Sequence, residues 1–149
     1  MRKLNNSKKF ISIKKEGGVF KLEKVFDLSS GGNLRDELLI EQKAKDSESI
    51  VSLKVVLGKG AKFSFSILSI ISSGAKNSFS RIDIKCLILD EESKFESIPS
   101  MVVEENEIRG ASHALAVSNI DQRKLFFMKS RCLDENLSKK QITEGFLSG

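Results

Sequence analysis

Regular alternation of apolar and polar residues, broken by short glycine-containing segments, most constrains the fold of this 149-residue chain. Apolar side chains fall at every second position in Val51–Leu57, Phe63–Ile67 and Ile82–Ile88. A period of two is typical of strands with one buried face. Segments such as Gly17-Gly18 and Gly31-Gly32 separate such runs and predict turns. We therefore expect roughly the first hundred residues to form strands rather than helices.

A short sequence echo recurs within this β-rich part. Gly60–Ser66 is similar to Gly74–Ser80 and, more faintly, to Ser93–Ser97, and the equivalent lysines lie 14 and 18 residues apart. Such spacing suits successive rungs of a β-solenoid, in which each rung buries its inner face against the next. It suits consecutive hairpins of a β-sandwich as well, so the echo leaves both architectures open.

The pattern changes after Ile120 and becomes helical. Asp121 is a favourable N-cap residue, and residues 121–131 contain neither glycine nor proline. The Phe127 side chain points away from the apolar stripe of this helix. It is therefore expected to make either a second core contact or a contact with a partner. Asp134 predicts the start of a second helix that runs to about Leu147. The stripe expected to dock the first helix on the sheet contains Leu125, Met128 and Cys132.

The net charge of +5 is concentrated at the N-terminus. Residues 1–24 carry eight lysines and arginines against two glutamates, whereas the remaining residues carry 17 cations and 18 carboxylates. Such a segment suits a basic arm that binds nucleic acid or an acidic partner. It also suits an exposed edge strand whose lysines discourage edge pairing. The second interpretation is favoured, because no aromatic signature of RNA binding accompanies the lysines.

Neither a membrane span nor a secretory signal is predicted. No stretch approaches the ~20 apolar residues that cross a bilayer, and no apolar run of signal-peptide length follows the basic start. Two cysteines make neither a disulfide framework nor a zinc site. We therefore expect a cytoplasmic protein.

Residues suited to catalysis are few. His113 is the single histidine, and no glycine-rich phosphate-binding motif is present. Cys86 lies on the apolar face of its strand and Cys132 on the apolar stripe of its helix, so both cysteines are predicted to be structural. The acidic cluster in residues 104–107 is expected in a solvated loop. The residue inventory thus points away from an enzyme.

Three runs in the second half resemble the SufB/SufD family of iron–sulfur cluster assembly proteins. Arg81–Pro99 resembles late strands of the family, and Met101–Ile108 followed by Ser112-His113 resembles the approach to its Ser-His-Gly-Ala-Thr-Val-Gly motif. Leu125–Arg131, followed by Gly145-Phe146-Leu147, resembles two terminal helices that typically read Leu-Phe-Tyr-Leu-x-Ser-Arg-Gly and end in Gly-Phe. The third match is the most specific, because order and spacing hold together.

The resemblance implies a mainly β fold: a short right-handed parallel β-helix, or β-solenoid, followed by two C-terminal α-helices. A single domain is expected, with a β-helix body over residues 1–119 and a helical region over residues 120–149. SufB and SufD pair through the end of the β-helix, and each holds an ATPase subunit, SufC, through the helices. The chain is thus expected to bind a SufC-like ATPase and to pair with a SufB-like subunit or a second copy. The alternative is a β-solenoid that serves self-association or other protein interaction and has no role with a cluster.

Departures from the family motifs make the chain SufD-like rather than SufB-like. Ser93 stands where SufB-type members place their scaffold cysteine, and Ala114 stands where glutamate follows the motif histidine. Serine and alanine cannot replace those ligands to iron, so His113 is the one candidate metal ligand and any iron–sulfur cluster is shared with a partner. Cys132 replaces the glycine of the terminal-helix motif. The implied partner-binding residues are Leu125, Phe126, Phe127, Arg131, Ile142 and Phe146.

Overall fold

The computed structural model describes residues 5–149, in which eight strands precede two helices. The strands are β1 (Asn5–Ile13), β2 (Val19–Leu28), β3 (Asn33–Gln42), β4 (Glu48–Leu57), β5 (Lys62–Ile71), β6 (Phe79–Ile88), β7 (Lys94–Val103) and β8 (Gly110–Asn119). The helices are α1 (Gln122–Ser130) and α2 (Glu135–Ser148). Within this range no helix is long and apolar enough to cross a membrane. Arg2 and Lys3 of the predicted basic segment lie outside the described residues.

The strands form two four-stranded parallel sheets that enclose a common core. Odd-numbered strands pair in the order β1-β3-β5-β7, and even-numbered strands pair in the order β2-β4-β6-β8. Two consecutive strands therefore make one rung, and the chain coils through four rungs. This architecture confirms the predicted β-solenoid. It excludes a sandwich of hairpins, because a hairpin pairs neighbouring strands antiparallel.

The strand register explains the sequence echo. Lys62 and Lys94 are direct register partners on β5 and β7. Lys76 lies in the turn between β5 and β6, at the opposite edge of the same rung. The steps of 14 and 18 residues are thus half-rungs, and together they complete one coil of the chain.

Inward-pointing side chains stack in columns along the solenoid axis. The strand register places each inward residue directly beside the inward residue of the next rung. One column contains Phe63 and Phe95, whose rings are parallel with centroids 5.7 Å apart. Phe26 of the facing sheet tilts against Phe63 at 5.1 Å. The alternation predicted for β6 is confirmed by three buried residues, with Ile88 half-buried beside them: Ile82, Ile84 and Cys86.

The turns that join the two strands of each rung stack on one another as regularly as the strands. Gly17, Asp46 and Asn77 occupy equivalent places in three successive turns, with φ of 70°, 56° and 58°. Each donates its backbone N–H to a carbonyl of the following turn. Glycine, aspartate and asparagine are the residues that best tolerate this left-handed conformation. The turns therefore help to hold the rungs in register.

The two helices cover part of the outer face of the even-numbered sheet. Val56 of β4 and Leu87 of β6 are register partners that point outward, and they are buried together with Leu125 of α1. Lys54 of β4 donates hydrogen bonds to the last carbonyls of α2, where the helix dipole favours a cation. The α2 residues that pack against this cluster are Ile142, Phe146 and Leu147.

Asp121 and Asp134 cap the two helices as predicted. Each carboxylate accepts a backbone N–H of the first helical turn, at 2.9 Å for Asp121 and at 2.6 Å for Asp134. The predicted docking role of Cys132 is wrong, because α1 ends at Ser130 and the Cys132 side chain is exposed. Cys132 has a φ of 63°, which turns the chain out of the helical stripe before the side chain can reach the sheet.

Candidate interaction site

Within residues 5–149 nothing covers the inner face of the last rung. Leu115 and Val117 of β8 lie in register with Ile84 and Cys86 of β6, so all four point into the solenoid. Ile84 and Cys86 are at most 1% exposed, whereas Leu115 is 42% and Val117 48% exposed. We call this surface the open end, and its inward positions are Phe95, Ser97, Pro99, Met101, Val103, Ala111, His113, Leu115 and Val117.

The same rung presents unpaired strand edges. In the described part of the chain β7 pairs with β5 alone, and β8 pairs with β6 alone. Each strand therefore offers backbone N–H and C=O groups along its other side. Apolar side chains beside free strand edges are the features of a docking surface.

His113 lies on the open end. It occupies the inward position next to the fully buried Ile82, between Ala111 and Leu115 on the same face of β8, and its side chain is exposed. Among residues 5–149 no three histidine, cysteine, aspartate or glutamate side chains come together as a metal site.

The two positions that depart from the family ligands do not converge with His113. Ser93 is buried in the turn before β7, at the edge of the solenoid where β8 ends at Asn119. His113 lies near the start of β8, toward the opposite edge. Ala114 points outward, in register with Asp83. These three positions therefore do not form a common site.

Cys86 is structural, as predicted. Its thiol is buried next to Val117, and desolvation raises its pKa to about 12. A thiol with this pKa is protonated at neutral pH and is therefore a poor nucleophile and a poor metal ligand. Cys132, by contrast, is exposed in the segment that joins the two helices.

Helix α1 presents two aromatic rings to solvent. Phe126 is 75% exposed and Phe127 is 56% exposed, while the adjacent Leu125 is buried against the sheet. The guanidinium of Arg131 lies 4.7 Å from the centroid of the Phe127 ring, a cation–π contact that restrains both side chains. We call Phe126, Phe127 and Arg131 the aromatic patch.

Ile142 and Phe146 lie elsewhere in the helical region. Both are half-buried and line a cleft of about 560 Å³ together with Leu87 and Met128. The structure thus divides the six predicted partner-binding residues into the exposed aromatic patch, the buried Leu125 and two residues in a cleft.

The basic N-terminal residues that the structure describes are spread over the first rung. Lys8 and Lys21 form ion pairs with nearby glutamates at 3.7 and 3.2 Å. Lys9 and Lys24 occupy inward positions and are exposed, and the Lys24 ammonium lies 4.6 Å from the centroid of the Phe26 ring. β1 is an edge strand, as the favoured interpretation of these lysines predicts.

Sequence comparison relates nearly the whole chain to one family. Residues 2–146 match the family described as SUF system FeS cluster assembly, SufBD core domain. The chain belongs to the SufBD family. The match includes the open end, α1 and all but the last two residues of α2, so the surfaces described above lie within the SufBD core.

Known relatives from two bacterial genera carry the same family description. An iron–sulfur cluster assembly SufBD family protein of Staphylococcus aureus (strain USA300) is 30% identical over 105 residues, which are 70% of this chain and 22% of that protein. One of Mycobacterium tuberculosis (strain ATCC 25618 / H37Rv) is 33% identical over 60 residues, which are 40% of this chain and 15% of that protein. The chain thus spans less than a quarter of the length of these relatives.

The family resemblance predicts pairing through the end of the β-helix, but the exposed apolar face of the open end is not among the features predicted from the residues. The sequence repeat could have revealed this apolar face, because Leu115 and Val117 lie 31 residues after Ile84 and Cys86. The final repeat keeps its apolar inward positions, and the next segment is helical rather than a further rung. A last rung of this kind predicts an uncovered apolar face.

Proposed function

We propose that this SufBD chain is a non-catalytic, SufD-like component of iron–sulfur cluster assembly in the cytoplasm. It binds a SufC-like ATPase through its C-terminal helices and pairs through the open end with a SufB-like subunit or a second copy. Family membership supports the role in assembly. The observation that carries the partner-binding part is the aromatic patch, with Phe126 and Phe127 exposed on α1.

The aromatic patch has the composition and the rigidity of a protein-binding surface. Burying one phenylalanine side chain contributes about 1.5–3 kcal/mol, so covering both rings is strongly favourable. Aromatic residues and arginine are also the types most often found at the energetic centres of interfaces. Leu125 anchors α1 on the sheet and Asp121 caps it, so little conformational freedom is lost when a partner binds.

The chemistry of the described residues supports a scaffold-associated role rather than a reaction on this chain. The Cys86 thiol is protonated at neutral pH, and His113 lies apart from Ser93 and Cys132 in the fold. An iron–sulfur cluster is then cargo of the assembly reaction. His113 contributes one ligand to it at the open end, and the partner supplies the remaining ligands.

Alanine substitution of the aromatic patch tests the ATPase interaction. We expect Phe126→Ala with Phe127→Ala to weaken binding of the cognate SufC-like ATPase by at least about tenfold, since two exposed anchors are lost. Isothermal titration calorimetry with the full chain gives the dissociation constant. Circular dichroism of the variant checks that α1 and α2 remain folded.

Phe10→Ala is the matched control for this experiment. Phe10 is 57% exposed on β1, in the first rung, and removing its ring changes the surface by the same chemistry at a site remote from α1 in the chain. Its affinity for the ATPase should equal that of the unaltered chain. An unchanged affinity in the Phe126/Phe127 variant would contradict the proposed role of the helices.

A further inference from the structure

Charge is distributed unevenly along the solenoid axis. Residues 90–119, which form the last rung, carry seven carboxylates against two cations. Residues 5–32, which form the first rung, carry six lysines against three carboxylates. The helical residues 120–149 carry six cations against four carboxylates. The last rung is therefore an acidic layer in a chain whose net charge is +5.

The carboxylates of the last rung border the open end on three sides. One group lies in the turn before β7, one residue lies on the outward face of β7, and another group lies in the turn between β7 and β8. Five of the seven side chains are exposed and the other two are half-buried. We call these residues the acidic rim: Asp90, Glu91, Glu92, Glu96, Glu104, Glu105 and Glu107.

Only part of this negative charge is balanced within the described chain. Glu107 forms an ion pair with Lys76 at 3.6 Å. Glu105 accepts the backbone N–H of Gly74 at 2.7 Å, and hydrogen bonds of this kind hold the pKa of its carboxyl below the usual range. Five further rim carboxylates have no cationic side chain within 4.0 Å among residues 5–149: Asp90, Glu91, Glu92, Glu96 and Glu104.

End-to-end pairing of two copies would bring two acidic rims together. Adjacent layers of a continuous β-structure are about 4.8 Å apart, which is less than the Debye length of about 8 Å at physiological salt. The rim carboxylates of one copy would therefore repel those of the other with little screening. Like-charge contact of this kind opposes association even where the apolar centres are complementary.

Head-to-tail stacking of two copies is opposed by a different feature. The first rung carries a net positive charge, but Lys9 and Lys24 stand at its inward positions. Stacking this face on Leu115 and Val117 would place ammonium groups against apolar side chains without compensating partners. A partner surface that complements the open end must therefore be apolar at the positions where the first rung carries Lys9 and Lys24.

We propose that the open end binds a different protein, whose docking surface is apolar at its centre and bordered by lysine or arginine, and that the acidic rim disfavours a second copy of this chain. The inference rests on the proposed function, in which the open end is the pairing surface, and narrows the identity of the partner. Charge complementarity at the border sets the specificity, while the apolar centre provides the buried area.

A charge-reversed copy of the chain supplies a probe with the required chemistry. Glu91→Lys, Glu96→Lys and Glu104→Lys together change the net charge of the last rung from −5 to +1 around the same apolar centre. In sedimentation velocity at about 50 mM NaCl, the mixture of this variant with the unaltered chain should form a dimer. The mixed dimer should be at least about tenfold tighter than the self-association of the unaltered chain, and about 500 mM NaCl should remove most of the difference.

Two matched variants locate the association. Glu16→Lys, Glu23→Lys and Glu144→Lys make the same change in net charge at exposed positions outside the last rung, and this variant should not bind the unaltered chain. Leu115→Asp in the unaltered partner should abolish the mixed dimer. Far-ultraviolet circular dichroism confirms that each variant is folded before it is compared.

Three results would overturn the inference. They are self-association of the unaltered chain as tight as the mixture, failure of the mixture to associate, and growth of either sample beyond a dimer. None of them depends on the aromatic patch. Failure of ATPase binding would therefore count against the proposed function and leave the result on rim charge intact.

Discussion

The two ends of the solenoid differ at equivalent positions of a single column. From first rung to last, this inward column contains Lys24, Leu53, Ile84 and Leu115. Lys24 keeps its charged end in contact with solvent, whereas Leu115 leaves an apolar side chain 42% exposed. A charged residue suits a terminal rung that meets water, because the terminal repeats of a solenoid need a polar outer face. A leucine at the same position suits a rung that meets another apolar surface.

A column of the facing sheet shows the same difference independently. It contains Lys9 in the first rung, Leu38 and Ile67 in the middle rungs, and Pro99 in the last rung. The two middle residues, Leu38 and Ile67, are at most 4% exposed. Both columns therefore hold buried apolar residues wherever a rung has neighbours on both sides. In both columns the first described rung carries a lysine where the last rung carries an apolar residue.

The largest expected effect is on stability, and it separates a covered rung from the open one. Ile84→Ala should lower the free energy of unfolding by about 2–5 kcal/mol, because it leaves a cavity between two packed layers. Leu115→Ala, at the register partner one rung later, should lower it by about 1 kcal/mol or less, since water already reaches this side chain. Urea titration monitored by circular dichroism measures both values.

The ratio of the two losses of unfolding free energy, for Ile84→Ala and for Leu115→Ala, shows whether the last rung is uncovered in solution. Equal destabilisation by the two substitutions would mean that Leu115 is covered in solution, and the open end would not exist in the isolated chain. Lys24→Ala is the matched substitution at the other end of the column and should change stability by about 0.5 kcal/mol or less.

Strands and helix caps could be predicted from the sequence because each depends on local pattern. The alternation around Val51 and Ile82 fixes the faces of strands, and Asp121 and Asp134 satisfy backbone groups of their own helices. The choice between a solenoid and a sandwich could not be made from that pattern. It depends on pairing between residues about 30 positions apart, and the family resemblance rather than the periodicity favoured the solenoid.

The candidate site was harder to predict, because its parts are separated in the sequence. The acidic rim comes from two turns and one strand, and it becomes one feature only when the rung closes. The error at Cys132 has a different cause. Helical periodicity assumes that the helix continues, whereas the left-handed φ of 63° that ends it is not visible in the residue types.

A smaller effect is expected when His113 is removed, and it concerns binding rather than folding. His113 occupies the inward position next to Ile82 but is exposed, so His113→Ala should change the unfolding free energy by about 0.5 kcal/mol or less. If His113 is a ligand, as proposed, cluster formation with a SufB-like protein should fall by about tenfold, because one ligand is lost. Anaerobic reconstitution with iron and sulfide, followed by absorption spectroscopy, measures the yield.

A second variant at the open end serves as the control for the yield of cluster. Ser112→Ala changes the neighbouring residue, which points outward in register with Arg81, and should leave the yield of cluster unchanged. An equal yield for the His113 variant and the unaltered chain would remove His113 from the set of ligands.

The smallest effect concerns residues in the left-handed conformation, where the turns within the rungs differ from the turn after α1. Turns within the rungs place Gly17, Asp46 and Asn77 there, whereas the turn after α1 places Cys132, which tolerates this conformation less well. Cys132 and the next residue donate their N–H groups to carbonyls of the last turn of α1, the arrangement in which glycine is preferred.

Cys132→Gly should therefore raise the free energy of unfolding by about 0.5–1 kcal/mol, because glycine adopts a positive φ without strain. Asn77→Gly is the control within the solenoid. It removes a side-chain hydrogen bond from Asn77 to Asp46, so relief of strain there is offset and no gain is expected. Urea titrations of the two variants, run beside the unaltered chain, measure the difference. A loss of stability in Cys132→Gly would mean that the thiol makes a contact stronger than the strain of its backbone.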